Sequence, residues 1–411
     1  MRILLSGGGT GGHVYPVLAV IAALRALVAR QQGALPRDAI RPSAGPIAGP
    51  PPTRAAVEPT PLAEPRLSDS AEFRYVGEAG GIEQILAERE GIPFVAIETG
   101  QIRGRSPLVA MRNVARMRHG AQQCARLIAE WRPHAVFMTG GYVAAPVAWA
   151  AARAKPRVPL MIYLPDLTPG QAIKVTSRLA QKVAVSFPET AHFFGAKAVV
   201  TGYPVRADLF TTPKHAGWST LGLTAELPVV LVFGGSRGAR SINRALLAAL
   251  PDLLNRCQVV HITGQTDWPE TQKALASHAW PAEVRTRYHA VPYLHDMVHA
   301  LVAADLVVAR AGAATLGEFP AAGLPAILAP YPFAGQHQDA NAAYLAERGA
   351  AIVIPDQKLQ AGLRPAIESL LDQPERLQAM AAAAAALARP DAAERIATEL
   401  LRVAAVGVSE K

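Results

Sequence analysis

Ser6-Gly7-Gly8-Gly9-Thr10-Gly11-Gly12-His13 joins an apolar run, Met1 to Leu5, to a long helical pattern that begins at His13. Glycines at such a junction let the backbone pass close to a ligand, and the N–H groups of the helix start then face it. The natural guest is anionic, a phosphate or diphosphate. Two junctions of the same build follow: Thr139-Gly140-Gly141-Tyr142 after the apolar run 135–138, and Gly234-Gly235-Ser236-Arg237-Gly238-Ala239 after 229–233.

Outward from the first two turns, apolar runs at 73–76, 94–97, 135–138, 159–162 and 198–200 alternate with helical periodicity. The alternation restarts at 229–233 and continues through 259–262, 306–308, 326–328 and 351–354. Near-continuously apolar strands separated by helices predict parallel sheets covered on both faces. The predicted class is therefore α/β, with two doubly wound units facing each other and ligands at the carboxyl ends of their strands. A polar stretch punctuated by Pro204, Pro213, Gly217 and Pro228 separates the units. This places an N-terminal domain at 1–203, a C-terminal domain at 204–389 and, after Pro390, a helix at 390–411 that returns to the first domain. Gly33 to Leu67, with nine prolines among Ala, Gly and Arg, lacks the apolar content to offset ordering entropy and reads as a disordered surface excursion.

A chain of 411 residues, half of them hydrophobic, exceeds the usual size of one domain. Its apolar runs stay shorter than the roughly 18 to 20 residues of a membrane span. Met1 to Leu5 meets glycines too soon for a secretory leader, so a cytoplasmic location is expected. Cys124 and Cys257 stand far apart and read as small buried apolar residues rather than as a disulfide or zinc ligands. A net charge of +9 and a pI near 9.8 point to anionic partners. Arg103, Arg105, Arg112, Arg116, Arg118 and Arg126 interleave with Leu108, Val109, Met111, Val114 and Met117. Such a basic amphipathic helix suits an anionic membrane surface, the alternative being a solvated helix face. No nucleic-acid partner is expected, because aromatic residues are only 6% and none is interleaved with the arginines as a stacking platform.

Gly7, Gly9 and Gly12 satisfy G-x-G-x-x-G, but a nicotinamide dinucleotide site needs an acidic residue at the end of the next strand. Here 73–77 ends without one until Glu78. No G-x-x-x-x-G-K-[ST] occurs.

The strings GGGTGGHVYPVLAV, TGGYVAAPVAWAA, GYPVR, VFGGSRGARSIN, RAGAATLGEFPAAGLPAILAPYP and QHQDANA resemble, in order, the motifs of the MurG family of UDP-N-acetylglucosamine:N-acetylmuramyl-(pentapeptide) pyrophosphoryl-undecaprenol N-acetylglucosamine transferases. The resemblance spans the chain apart from the proline-rich stretch and the linker. It implies a GT-B fold and inverting transfer from UDP-N-acetylglucosamine to an undecaprenyl-diphosphate-linked acceptor. It also implies peripheral attachment to the cytoplasmic face of the membrane, with no cofactor and no obligatory divalent cation. Thr10, Gly11, Gly12, Gly140, Gly141 and Tyr142 fall on its acceptor and diphosphate side. Arg206 and Ser236 match its donor-diphosphate contacts, and a guanidinium fork suits a diphosphate. Glu318 matches the glutamate that accepts from the ribose hydroxyls, which two carboxylate oxygens fit well. His337, Gln338 and Asn341 match the polar run toward the donor sugar, while Arg310-Ala311-Gly312-Ala313, with Ala311 where the family commonly has Ser, would present backbone to uracil.

His13, opening a helix beside the first turn, is the candidate base, the alternative being a positional role that orders the turn or touches the lipid diphosphate. Where the family has His-Glu-Gln-Asn, this chain has Tyr163-Leu164-Pro165-Asp166, and Tyr203 replaces the asparagine before Pro204. With the loop glutamate absent, Asp166 is the nearest carboxylate for the acceptor side. It is expected there with His13 as orienter or acceptor-positioning group, the alternative being a cap for the following turn. A UDP-N-acetylglucosamine 2-epimerase would share the two-domain cleft and the donor grip. It has no use for the first two glycine turns or the basic helix. A non-catalytic UDP-sugar-binding protein is the third class.

Overall fold

The computed structural model describes residues 1–9, 11–31, 71–101, 106–235, 238–277, 281–332 and 337–409. The proline-rich stretch Gly33 to Leu67 lies outside them, as do Thr10, Arg103, Arg105, Ser236 and the His337 side chain.

Seven strands form the first sheet: β1 (Arg2–Ser6), β2 (Glu72–Gly77), β3 (Phe94–Ala96), β4 (Ala135–Met138), β5 (Leu160–Leu164), β6 (Lys182–Val185) and β7 (Ala198–Val200). Six form the second: β8 (Val229–Phe233), β9 (Gln258–Ile262), β10 (Tyr288–Val291), β11 (Leu306–Ala309), β12 (Ala326–Leu328) and β13 (Ala351–Val353). Spatial orders are β3-β2-β1-β4-β5-β6-β7 and β10-β9-β8-β11-β12-β13, and the pairings are parallel. The architecture is the two-sheet α/β arrangement of GT-B enzymes. The order in which successive strands are added reverses between β1 and β4 in one sheet and between β8 and β11 in the other. Such switch points are where open α/β sheets hold their ligands.

Alternation along the strands divides each core into two layers. Ile3, Leu5, Phe137 and Tyr163 face one side of the first sheet; Leu4, Val136, Met138 and Ile162 face the other. In the second sheet Val229 and Leu231 oppose Val230 and Val232 in the same way. The Gly11–Gln31 helix is long and apolar enough to cross a membrane by length and composition. Its Val14, Val17, Ile21 and Leu24 are instead packed on the first sheet together with Ile396 and Leu400 of the Ala392–Ser409 helix. An Arg30–Glu394 ion pair of 3.2 Å joins the same two helices. Cys124 and Cys257 are both buried and unpaired.

Strands β6 and β10 are absent from the sequence reading. Lys182-Val-Ala-Val is short and starts on a charge, and Tyr288-His-Ala-Val is a half-buried edge strand with a polar residue inside it. β5 also runs two residues further than the 159–162 apolar run. Tyr163 is thus a buried strand residue and not part of the loop.

Candidate active site

At the β1/β4 switch point the first two glycine turns lock together. Gly141 has φ 81°, and a side chain there would begin 2.5 Å from the Gly8 carbonyl oxygen, so only glycine fits. Thr139 Oγ1 donates to the His13 carbonyl at 2.6 Å, and the Tyr75 hydroxyl donates to the Gly7 carbonyl at 2.5 Å. Glu83, 1% exposed, accepts the N–H groups of Gly9 and Glu78 at 3.3 Å each. Tyr142 donates to Glu78 Oε2 at 2.6 Å. Gly11 and Gly12 form the first turn of the following helix. His13 stands beside Gly140, where a Cβ would lie 3.6 Å from its Cε1. Among the described residues, the buried His13 Nδ1 has no hydrogen-bond partner.

The β8/β11 switch point forms the opposite wall. Glu318 sits in the Thr315–Ala322 helix, and burial pushes its carboxyl up to about 7 against the opposing pull of Arg206. Arg206 is exposed and paired with Asp208 through two guanidinium nitrogens. The Arg310 guanidinium is turned into the fold, onto Asp356 at 2.5 Å, Ser241 Oγ at 2.7 Å and the Ala329 carbonyl at 3.0 Å. Its side chain is committed to structure, so any ligand contact from this strand end comes from backbone. The space beside Gly312 is open, with no described atom within 4 Å of where a side chain would begin. Gln338 Oε1 accepts the Tyr331 N–H at 2.8 Å.

Behind the third glycine turn lies a buried polar network. Asn243 Nδ2 donates to the Thr263 carbonyl and to Asp267 Oδ2, both at 2.9 Å. Its Oδ1 meets His261 Nε2 at 3.0 Å. An amide oxygen can only accept, so Nε2 carries the proton; burial lowers this imidazole to about 3, so Nδ1 accepts from the Tyr288 hydroxyl at 2.6 Å.

Among the described residues the two domains meet at several places, the Arg348–Glu189 ion pair of 2.5 Å and the Phe187–Tyr344 ring contact among them. Asn341 Nδ2 donates to Asp166 Oδ1 and to the Ala311 carbonyl, each at 3.1 Å, and Asn341 Oδ1 accepts the Leu167 N–H at 3.4 Å. Tyr15, two residues after His13, hydrogen-bonds Tyr293 of the opposite wall close to Glu318 and Arg206, and burial followed by that contact pushes its phenol up. Arg89 Nη1 lies 3.4 Å from His295 Nδ1. The expected pairing of Asp166 with His13 is not what the structure shows. Asp166, two residues beyond the end of β5 at Leu164, is bonded across the cleft to Asn341. Among the described residues, no group of three or more His, Cys, Asp or Glu is arranged to hold a metal ion.

Residues 57–185 match the Glycosyltransferase family 28 N-terminal domain, and residues 229–396 match its C-terminal domain. A UDP-N-acetylglucosamine--N-acetylmuramyl-(pentapeptide) pyrophosphoryl-undecaprenol N-acetylglucosamine transferase of Roseiflexus sp. (strain RS-1) is 41% identical, covering 97% of this chain and 94% of its own. The chain belongs to the MurG family. The crystal structure of Acinetobacter baumannii MurG superimposes with a TM-score of 0.65 at 26% identity, over 98% of this chain and 99% of that one. A UDP-GlcNAc 2-epimerase from Neisseria meningitidis shares the fold, with a TM-score of 0.63 at 12% identity over 98% of this chain and 100% of its own. This MurG-family chain thus carries its matching motifs at both switch points. Sequence reasoning missed Glu83, Tyr15, Tyr293 and the Asn243–His261 pair, none of which has a local signature. Glu83 follows the glycines Gly80 and Gly81 in an exposed-looking helix start, and only the fold shows that its carboxylate turns inward.

Proposed function

We propose that this chain transfers N-acetylglucosamine from UDP-N-acetylglucosamine to an undecaprenyl-diphosphate-linked muramyl-pentapeptide, converting lipid I to lipid II at the cytoplasmic face of the membrane. One observation carries the reading. The elements that carry His13 and Asp166 stand opposite Glu318 and Asn341, and the two walls are bonded through Asp166–Asn341 and Tyr15–Tyr293. Membership in a family of transferases that bear this name supports it.

In this mechanism the acceptor sugar hydroxyl attacks the anomeric carbon of the donor, the bond to the UDP diphosphate breaks, and configuration inverts in one displacement. His13, in the first turn of the Gly11–Gln31 helix, takes the hydroxyl proton as general base. Glu318 accepts from the ribose hydroxyls, and the backbone of 310–312 faces uracil. Arg206, Ser236 and the N-terminus of the Arg240–Leu253 helix take up the charge of the leaving diphosphate. His337 and Gln338 read the sugar. Thr10, Gly11, Gly12, Gly140, Gly141 and Tyr142 hold the lipid diphosphate. These charges meet the electrostatic demand without a divalent cation, so EDTA is expected to leave turnover unchanged; a rate restored only by added Mg²⁺ would refute that.

Exposed Leu108 and Met111 project with Arg112 and Arg118 from the Pro107–Trp131 helix, which suits insertion at an anionic membrane surface. The test of the reaction is UDP release by purified protein. The transfer reading requires release only when UDP-N-acetylglucosamine and the lipid-linked acceptor are both present. Equal release from the donor alone contradicts it, as does release with any lipid diphosphate lacking the muramyl peptide.

A further inference from the structure

Tyr163, Asp166 and Tyr203, read in the sequence as departures from the MurG motifs, lie near one another in space. Tyr163 and Tyr203 meet edge to face with ring centroids 6.2 Å apart. Tyr203 lies so close to the donor-wall helix that a side chain on Gly317 would begin 2.1 Å from its Cδ1. Asp166 completes the group, and its carboxylate takes the amide of Asn341 at 3.1 Å.

Asn341 is fully buried. Both its amide hydrogens are used, one on Asp166 and one on the Ala311 carbonyl, and its oxygen takes the Leu167 N–H. A carboxylate can only accept, so Asp166, together with the Ala311 carbonyl and the Leu167 N–H, holds this amide in one orientation. Asn at 166 keeps an acceptor oxygen but loses the charge that strengthens the bond to Asn341, and its amide can turn to present NH2 instead. Tyr163 and Tyr203, both buried, lie near the Asp166 carboxylate.

We propose that Asp166 is a positioning residue for the nucleotide half of the site. By fixing Asn341 it fixes the 311–312 backbone that faces uracil and the His337–Glu347 helix that carries Gln338. The altered loop of the acceptor wall therefore sets donor affinity. This inference rests on the proposal that the donor is a UDP sugar.

The experiment compares wild type, Asp166→Asn, Asn341→Ala and the double variant by calorimetry with UDP, by steady-state kinetics and by thermal unfolding without ligand. Asp166→Asn is expected to weaken UDP binding and raise the KM for UDP-N-acetylglucosamine by about tenfold, tenfold being ~1.4 kcal/mol, and to leave the acceptor KM within twofold. The double variant should bind UDP no more weakly than Asn341→Ala alone. Unchanged UDP affinity, or a rise in the acceptor KM alone, overturns the proposal. If wild type fails to bind UDP, the donor assignment falls instead. The unfolding series then decides the clasp by itself, with non-additive losses in Tm supporting it and additive losses overturning it.

Discussion

Glu318 shows how one residue trades stability for binding. Its carboxyl titrates at about 7 in the fold, above its ordinary 4.5, so between those values the folded protein keeps a proton that the unfolded chain releases. Its cost to stability therefore grows as pH rises from 4.5 to 7 and is complete above 7. Glu318→Gln is expected to raise unfolding stability at pH 8 by on the order of 1–3 kcal/mol, a pKa unit being ~1.4 kcal/mol, and to leave stability at pH 4 nearly unchanged. The same variant loses charge-assisted bonds to the ribose, worth roughly 1.5–3 kcal/mol, or about 10- to 100-fold in UDP affinity. Calorimetry that shows full UDP affinity removes Glu318 from the ribose site. In the wild type, UDP affinity should climb with pH through 7. Motif residues such as Glu318 and Asn341 were legible in the sequence because their neighbours in the chain mark them. Glu83 and Tyr15 were not, since each acts on residues from a distant element.

Among the elements, the first glycine turn depends on the Ile82–Arg89 helix that carries Glu83. Glu83→Ala leaves the Gly9 and Glu78 N–H groups without their acceptor. A loss of about 1–3 kcal/mol in denaturant unfolding is expected, with the kcat of transfer falling more than the KM for UDP-N-acetylglucosamine. An unchanged kcat would show that the turn keeps its shape unaided. The Pro107–Trp131 helix exposes 81% of Leu108 and 73% of Met111. Replacing both by Asp should abolish co-sedimentation with anionic vesicles at low salt, which in wild type should fade as ionic strength rises. Undiminished recovery of the double variant would place membrane contact elsewhere. Most strands were readable from the sequence because parallel strands buried on both faces are apolar throughout. β6 and β10 escaped because their pattern is short and interrupted by charge or polarity. The pairing across β5 escaped because sequence separation carries no distance.

For the whole molecule, two sheets with reversed strand order bring two switch points face to face, and the Asp166–Asn341 and Tyr15–Tyr293 contacts span the space between them. Fold and cleft follow from the alternation of apolar runs and glycine turns. Which residues bridge the cleft follows only from three-dimensional packing. The account requires both substrates to occupy that cleft at once and His13 to act between them; His13→Ala should lower kcat by roughly 100- to 10,000-fold, with UDP affinity intact. The most direct measurement follows labelled N-acetylglucosamine from UDP-N-acetylglucosamine in the presence and absence of the undecaprenyl-diphosphate-linked muramyl-pentapeptide. The account predicts label in the lipid fraction, mole for mole with UDP released, and none without the acceptor. Label that stays with the nucleotide as a 2-epimer, or that never reaches the lipid, would contradict it.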